Sequence, residues 1–182
     1  MRINTILRGK KYIFETKLGL FSSNDIDPGT RLLIENMPID KTDVVLDLGC
    51  GYGPVGIVAA DLAAKGRVYM VDVDIRAMKY SLINSKLNKV KNVIIKPSDG
   101  FEELFGLKFD VVLSNPPSHT HKETIHQFIS DAKNYLNSHG ELYFVVERRI
   151  KPMFKRQLQS VFENYKEVAV GPKHIVVFAY KK

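Results

Sequence analysis

Val44-Val45-Leu46-Asp47-Leu48-Gly49-Cys50-Gly51-Tyr52-Gly53-Pro54-Val55-Gly56 carries an apolar, β-branched run into a glycine-rich loop and on into a helical stretch. Four of the first five residues are apolar, the character of a buried strand, with Asp47 near its end. The helix is expected over 54–65, with Pro54 in its first turn, where a missing N–H does no harm, and Gly66 as its stop. Gly49, Gly51 and Gly53 let a ligand approach the backbone closely. The helix N-terminus behind them offers free N–H groups and partial positive charge.

The same alternation continues along the chain. Strands are expected at 67–72, 92–97, 109–115 and 141–147, and helices at 75–87, 121–137 and 152–162. In the 121–137 stretch Ile125, Phe128, Ile129, Ala132 and Leu136 fall on one face. Two last strands, 165–170 and 174–180, meet through Gly171-Pro172 and are therefore antiparallel. This predicts an α/β fold: a seven-stranded, mostly parallel, Rossmann-like sheet with an antiparallel last strand and helices on both faces. One domain is expected over 1–182, a core of 41–182 preceded by a less regular segment, 1–40, that covers an edge of the pocket.

Acids follow three successive strands. Asp47 ends the first and can receive an ammonium group, but would repel a phosphate there. Asp72 ends the second and can accept from two ribose hydroxyls; Asp74, two residues on, is the alternative. Asp99 follows the third and can accept from an adenine amino group. Gly51, Gly53 and Gly56 also satisfy G-x-G-x-x-G, so a nicotinamide-dependent oxidoreductase is a competing reading. Helix capping and turn formation are the structural alternatives for each aspartate.

Ser114-Asn115-Pro116-Pro117-Ser118 follows the fourth strand. Consecutive prolines fix the backbone and remove two donors, leaving carbonyls to face a cleft. The Asn115 side-chain oxygen and the Pro116 carbonyl can then accept two hydrogen bonds from one NH2 group. Such a pair selects an amine with two hydrogens and draws electron density toward its nitrogen. A proline-rich strand end is the plainer alternative.

D-L-G-C-G-Y-G at 47–53, V-D-V-D at 71–74 and S-N-P-P at 114–117 resemble, in order and spacing, class I methyltransferases acting on amino nitrogens. The stretch 6–30, with Phe14, Phe21 and Thr30, resembles the small methyltransferase domain of ribosomal-RNA guanine-amino methyltransferases and their free-standing archaeal relatives. The resemblance covers nearly the whole chain. It implies S-adenosylmethionine as cofactor, with Asp47, Gly49, Gly51 and Gly53 on its methionine part, Asp72 on the ribose and Asp99 on the adenine. It implies Asn115 and Pro116 as the catalytic pair on the acceptor amine, Phe14, Phe21 and Thr30 in the segment closing the pocket, and Thr30 beside the cofactor. Pro117 and Ser118 would meet the substrate. Relatives often carry an aromatic or bulky apolar residue where this chain has Ser118. Either Phe14, Phe21 or Tyr12 supplies the wall for the acceptor base, or the acceptor differs from guanine.

Charge points the same way. The net charge is +7, with five Lys/Arg against one acid in residues 1–20 and nine against three in 145–182. The run 148–156 interleaves Arg148, Arg149, Lys151, Lys155 and Arg156 with Ile150, Met153 and Phe154. With Arg8, Lys10 and Lys11 it is the candidate surface for an RNA backbone, ribosomal or transfer; an amphipathic helix with a solvated face is the alternative. His119 and His121 have an H-x-H spacing, but no metal site is expected because only Glu123 lies beside them. Cys50 is read as a small filler. A lone cysteine, the lack of a long apolar run and the lack of a secretion signal predict a cytoplasmic chain that does not enter a membrane. A protein glutamine amide is the alternative acceptor, and a non-catalytic RNA-binding protein a further reading.

Overall fold

The computed structural model describes residues 1–182 except 21, 23 and 117–121, and except the side chain of Lys122. Seven strands form one sheet in the order β5-β4-β3-β6-β7-β9-β8. They are β3 (Val44–Leu48), β4 (Arg67–Asp72), β5 (Val93–Pro97), β6 (Phe109–Ser114), β7 (Leu136–Glu147), β8 (Lys166–Val170) and β9 (His174–Tyr180). Strands β5 through β7 pair in parallel, and β9 runs antiparallel to both neighbours, as the Gly171-Pro172 turn predicts. From β3 the chain builds outward through β4 and β5, then returns to lay β6 on the other side. The carboxyl ends of β3 and β6 thus frame a topological switch point, where open α/β sheets bind ligands.

Alternation along each strand supplies two cores. Val45, Met70, Val111, Leu113, Val145 and Val176 face one layer, and Leu46, Val71, Val112, Leu142, Phe144 and Val177 the other. The first layer is α1 (Pro28–Asn36), α2 (Pro54–Leu62) and α3 (Ile75–Leu87); the second is α4 (Lys122–Tyr135) and α5 (Lys151–Phe162). Helix α5 buries Phe154, Leu158 and Phe162, so the apolar residues of the basic run are its core face. Among the described residues no helix is long and apolar enough to cross a membrane.

The amino-terminal segment is more regular than expected. Strands β1 (Arg2–Leu7) and β2 (Lys10–Glu15) form a hairpin, turned at Arg8 and Gly9, both with positive φ. Buried Ile3 and Leu7, facing Tyr12 and Phe14, are the alternation that marks it. The outer edge of β2 is closed by side chains of α3. Asn84 and Asn88 accept from the backbone N–H of Glu15 and Ile13 at 2.6 and 3.0 Å, and donate to their carbonyls at 2.8 and 2.7 Å. Two asparagines one helical turn apart therefore stand in for a third strand.

Gly66 does not stop α2 by a left-handed cap; the helix ends earlier, at Leu62. A Cβ at Gly66 would lie 2.0 Å from the carbonyl oxygen of Asp43, which accepts from the N–H of Arg67. The glycine is there for the close approach of β4 to the chain entering β3.

Candidate active site

A cavity of about 410 Å³ opens at the switch point, lined by the glycine loop, the ends of β4, β5 and β6, and Gly19, Leu20, Ser22, Asp27 and Thr30 of the amino-terminal segment. Asp47 is buried at its base, where its Oδ2 accepts from the N–H of Gly56 at 2.7 Å. Loss of water raises its pKa to about 7, opposed by the Gly56 bond and reinforced by the negative charge of Asp72. Its other oxygen has no donor among the described residues. The site thus holds a carboxylate that lacks a cation.

The loop excludes phosphate by the same arrangement. Pro54 has no N–H, the N–H of Gly56 is held by Asp47, and that of Ile57 bonds the carbonyl of Gly53. A pyrophosphate would meet two carboxylates and almost no donors, which disfavours the nicotinamide reading. Gly49, Gly51 and Gly53 all have positive φ, and at Gly49 and Gly51 a Cβ would meet nothing within 4 Å. Backbone conformation demands glycine there. Gly56 is required for space instead, since a Cβ would lie 2.6 Å from Met70.

Asp72 Oδ2 accepts from Gly51 N–H and Oδ1 from Asp74 N–H, both at 2.8 Å. Each oxygen keeps a lone pair for a hydroxyl in the cavity. Asp74 is the N-cap of α3, paired with Arg76, which holds its carboxyl down at about 2. Of the two, Asp72 is the one the geometry leaves available to a ligand. Asp99 is exposed on the rim, in the turn Ser98–Gly100, with Phe128 of α4 packed against Gly100. Cys50 is buried, hydrogen-bonded to Ser81, with its thiol pKa pushed up by burial, as a filler would be.

Asn115 stands directly after β6. Its Nδ2 donates to Oδ2 of Asp27 at 3.0 Å and to Oγ1 of Thr30 at 2.8 Å. Asp27 is the N-cap of α1, accepting at the same oxygen from Thr30 N–H. A carboxylate only accepts, so the amide can lie in one sense only: nitrogen toward Asp27, Oδ1 left as an acceptor in the cavity wall. Pro116 lines the cavity beside it. The role of Asp27 is not legible in the sequence; Asp27-Pro28-Gly29-Thr30 signals a helix start, and only the fold carries it to Asn115.

Other expected residues are placed differently. Phe14 is fully buried and does not line the cavity; its ring packs edge-on to Tyr52, which does. Thr30 lines the cavity with its hydroxyl already engaged by Asn115. Phe21, Pro117, Ser118, His119 and His121 lie outside the described residues. Arg148 and Arg149 are exposed at the end of β7, on the cavity's side of the sheet, though outside its lining. Arg8 is not beside them. Its guanidinium donates to the carbonyls of Ile34, Glu35 and Met37, closing the far end of α1, about 13 Å along the helix from Asp27. Lys10 pairs there with Asp61. Arg8 thus serves as a helix cap and Lys10 is paired with Asp61, while most of the basic run lies on α5 in the other layer, so the expected single basic surface is not formed from these residues.

A sheet of this strand order, with unpaired acids where a dinucleotide needs donors and an oriented amide after β6, defines an S-adenosylmethionine-dependent methyltransferase of class I. The chain belongs to the methyltransferase small domain family, which matches residues 11–178. It is 31% identical over 178 residues to the uncharacterized protein YbxB of Bacillus subtilis, covering 96% of this chain and 89% of that one. It is 33% identical over 165 residues to ribosomal RNA small subunit methyltransferase C of Pseudoalteromonas translucida, covering 87% of this chain and 46% of that enzyme. The fold superposes with a TM-score of 0.87 on the T. thermophilus 16S rRNA N2-G methyltransferase solved with AdoMet and guanosine, at 24% identity, over 100% of this chain and 50% of that one. The chain spans about half the length of the named enzymes it matches.

Proposed function

We propose that this chain methylates the exocyclic amino group of an RNA base, guanine in ribosomal or transfer RNA. The observation that carries the reading is the Asn115 amide, held with its oxygen outward at the switch point by Asp27 and Thr30. The similarity to a ribosomal RNA methyltransferase supports RNA as the carrier of the amine.

The residues fit S-adenosylmethionine. Asp47 offers its unpartnered oxygen to the ammonium, where a cation would restore its ionised form. Asp72 offers a lone pair on each oxygen to the ribose hydroxyls, and Asp99 accepts from the adenine amine. Gly49, Gly51 and Gly53 keep the loop backbone low beneath the ligand. When bound, the cofactor supplies a methyl group activated by its positive sulfur.

Asn115 Oδ1 and the Pro116 carbonyl accept the two N–H groups of the acceptor amine and turn its lone pair toward the methyl carbon. The amine so held would take that methyl group in line and give up its surplus proton to water. Positioning and aimed acceptors carry the rate, without a strong base. An RNA target has to be unpaired for its base to enter the cavity.

The test incubates the protein with label-bearing S-adenosylmethionine and unmodified total RNA, then identifies the labelled nucleoside. Labelled N2-methylguanosine, absent with Asn115→Ala, supports the reading. No label in any RNA despite cofactor binding overturns it in favour of a protein amide.

A further inference from the structure

We infer that Asp27 selects the acceptor base: its carboxylate reads the ring N–H that guanine, alone among amine-bearing bases, presents next to its amine. The inference rests on the functional reading above and deepens it.

Asp27 lines the cavity, half-buried, at the N-cap of α1. Its Oδ2 is fixed by two donors, Thr30 N–H at 2.8 Å and Asn115 Nδ2 at 3.0 Å. Its Oδ1 receives no hydrogen bond from the described residues. Those two bonds hold the carboxylate beside the Asn115 amide, and both residues line the same cavity. Asn115, Pro116 and Asp27 thus bring three acceptors, Oδ1, a backbone carbonyl and Oδ1, to residues that line one cavity.

Base chemistry then discriminates. Guanine sets N1–H beside its 2-amino group, so its edge there is all donors. Adenine and cytosine set a bare ring nitrogen beside the amine, and a glutamine amide sets a carbonyl there. Each of these would bring a lone pair against an ionised oxygen, leaving an acceptor unpaired in a half-buried site. The discrimination needs no stacking partner and so does not depend on an aromatic residue at the position of Ser118.

The probe is 2-aminopurine, which keeps the 2-amino group and lacks N1–H. The shortest transcript labelled by the wild-type protein is prepared with guanine or 2-aminopurine at the labelled position. Wild type is expected to prefer guanine by about 100-fold in kcat/KM. Asp27→Asn, which can donate to a bare ring nitrogen, narrows that ratio to below about 5-fold. Asp27→Ser keeps a helix cap, guards against loss of fold, and narrows the ratio likewise. Cofactor affinity is measured on each variant. An equal loss on both templates means that Asp27 only positions Asn115, and overturns the inference while leaving the enzyme assignment intact. An unchanged ratio overturns it too. A wild-type protein that labels no RNA removes the functional reading and this inference together.

Discussion

The amide nitrogen of Asn115, at the end of β6, donates to the carboxylate of Asp27, 88 residues earlier at the start of α1, over 3.0 Å. This bond joins the amino-terminal segment to the end of β6, the proposed acceptor site. It gives the amide one orientation, and that orientation is the reason Asn115 can accept rather than donate.

Asn115→Ala removes one of the two acceptors aimed at the amine. We expect kcat to fall about 100- to 1000-fold while cofactor affinity stays within about twofold, because the proposed cofactor contacts are made by Asp47, Asp72 and Asp99 and not by Asn115. Single-turnover methyl transfer and calorimetric titration of S-adenosylmethionine separate the two. A matched loss in both would place Asn115 in cofactor binding.

Cofactor binding should release a proton. With its pKa near 7, Asp47 is largely protonated at pH 6, and an incoming ammonium requires the carboxylate. Affinity is expected to rise about fivefold from pH 6 to pH 7, about tenfold by pH 8, and to level off above that. Calorimetry in buffers of different ionisation enthalpy reads the proton directly, and a pH-independent affinity with no proton release would contradict the role given to Asp47.

Without ligand, the same group weakens the fold. Its folded pKa is above the usual value of 3.8, so the native state holds the proton longer and stability drains away as pH rises from about 4 to 7. Three units correspond to about 4 kcal/mol at most. Asp47→Asn should therefore melt higher than wild type above pH 7, match it near pH 4, and bind the cofactor at least about 100-fold more weakly. Melting curves across pH test the crossover.

Asn84→Ala opens the edge of the hairpin. It removes the acceptor and donor that satisfy Glu15 and a bond to the Tyr52 carbonyl, all inside a part-buried seam. A loss of about 2–4 kcal/mol is expected, with hydrogen exchange quickening first at Glu15. Uniform quickening across β3 and β6 would show that the hairpin has no local stability of its own.

Gly56→Ala puts a methyl group against Met70 and 2.9 Å from Asp47 Oδ2. Overpacking of this kind costs about 1–3 kcal/mol, and it displaces the carboxylate as well. Both melting temperature and cofactor affinity should drop, whereas an alanine that spared affinity would show Asp47 to be held independently of α2.

Local chemistry in the sequence determined the sheet's contents and the glycine loop. Apolar runs, helical spacing and the Gly171-Pro172 turn mark the seven strands, because periodicity records which faces are buried. The glycines at 49, 51 and 53 were legible as a loop a ligand can approach; that all three have positive φ is a finding of the structure. Tertiary structure alone decided which acids remain available. The sequence favours Asp72 over Asp74 only by its place at the strand end; both line the cavity, and it is the ion pair with Arg76 that engages Asp74. It also turned Phe14 into support for Tyr52, spent Arg8 on the end of α1, and set Asp27 against Asn115. These are contacts between residues far apart in the chain, fixed by how layers pack, and a pattern read along the chain carries no record of them.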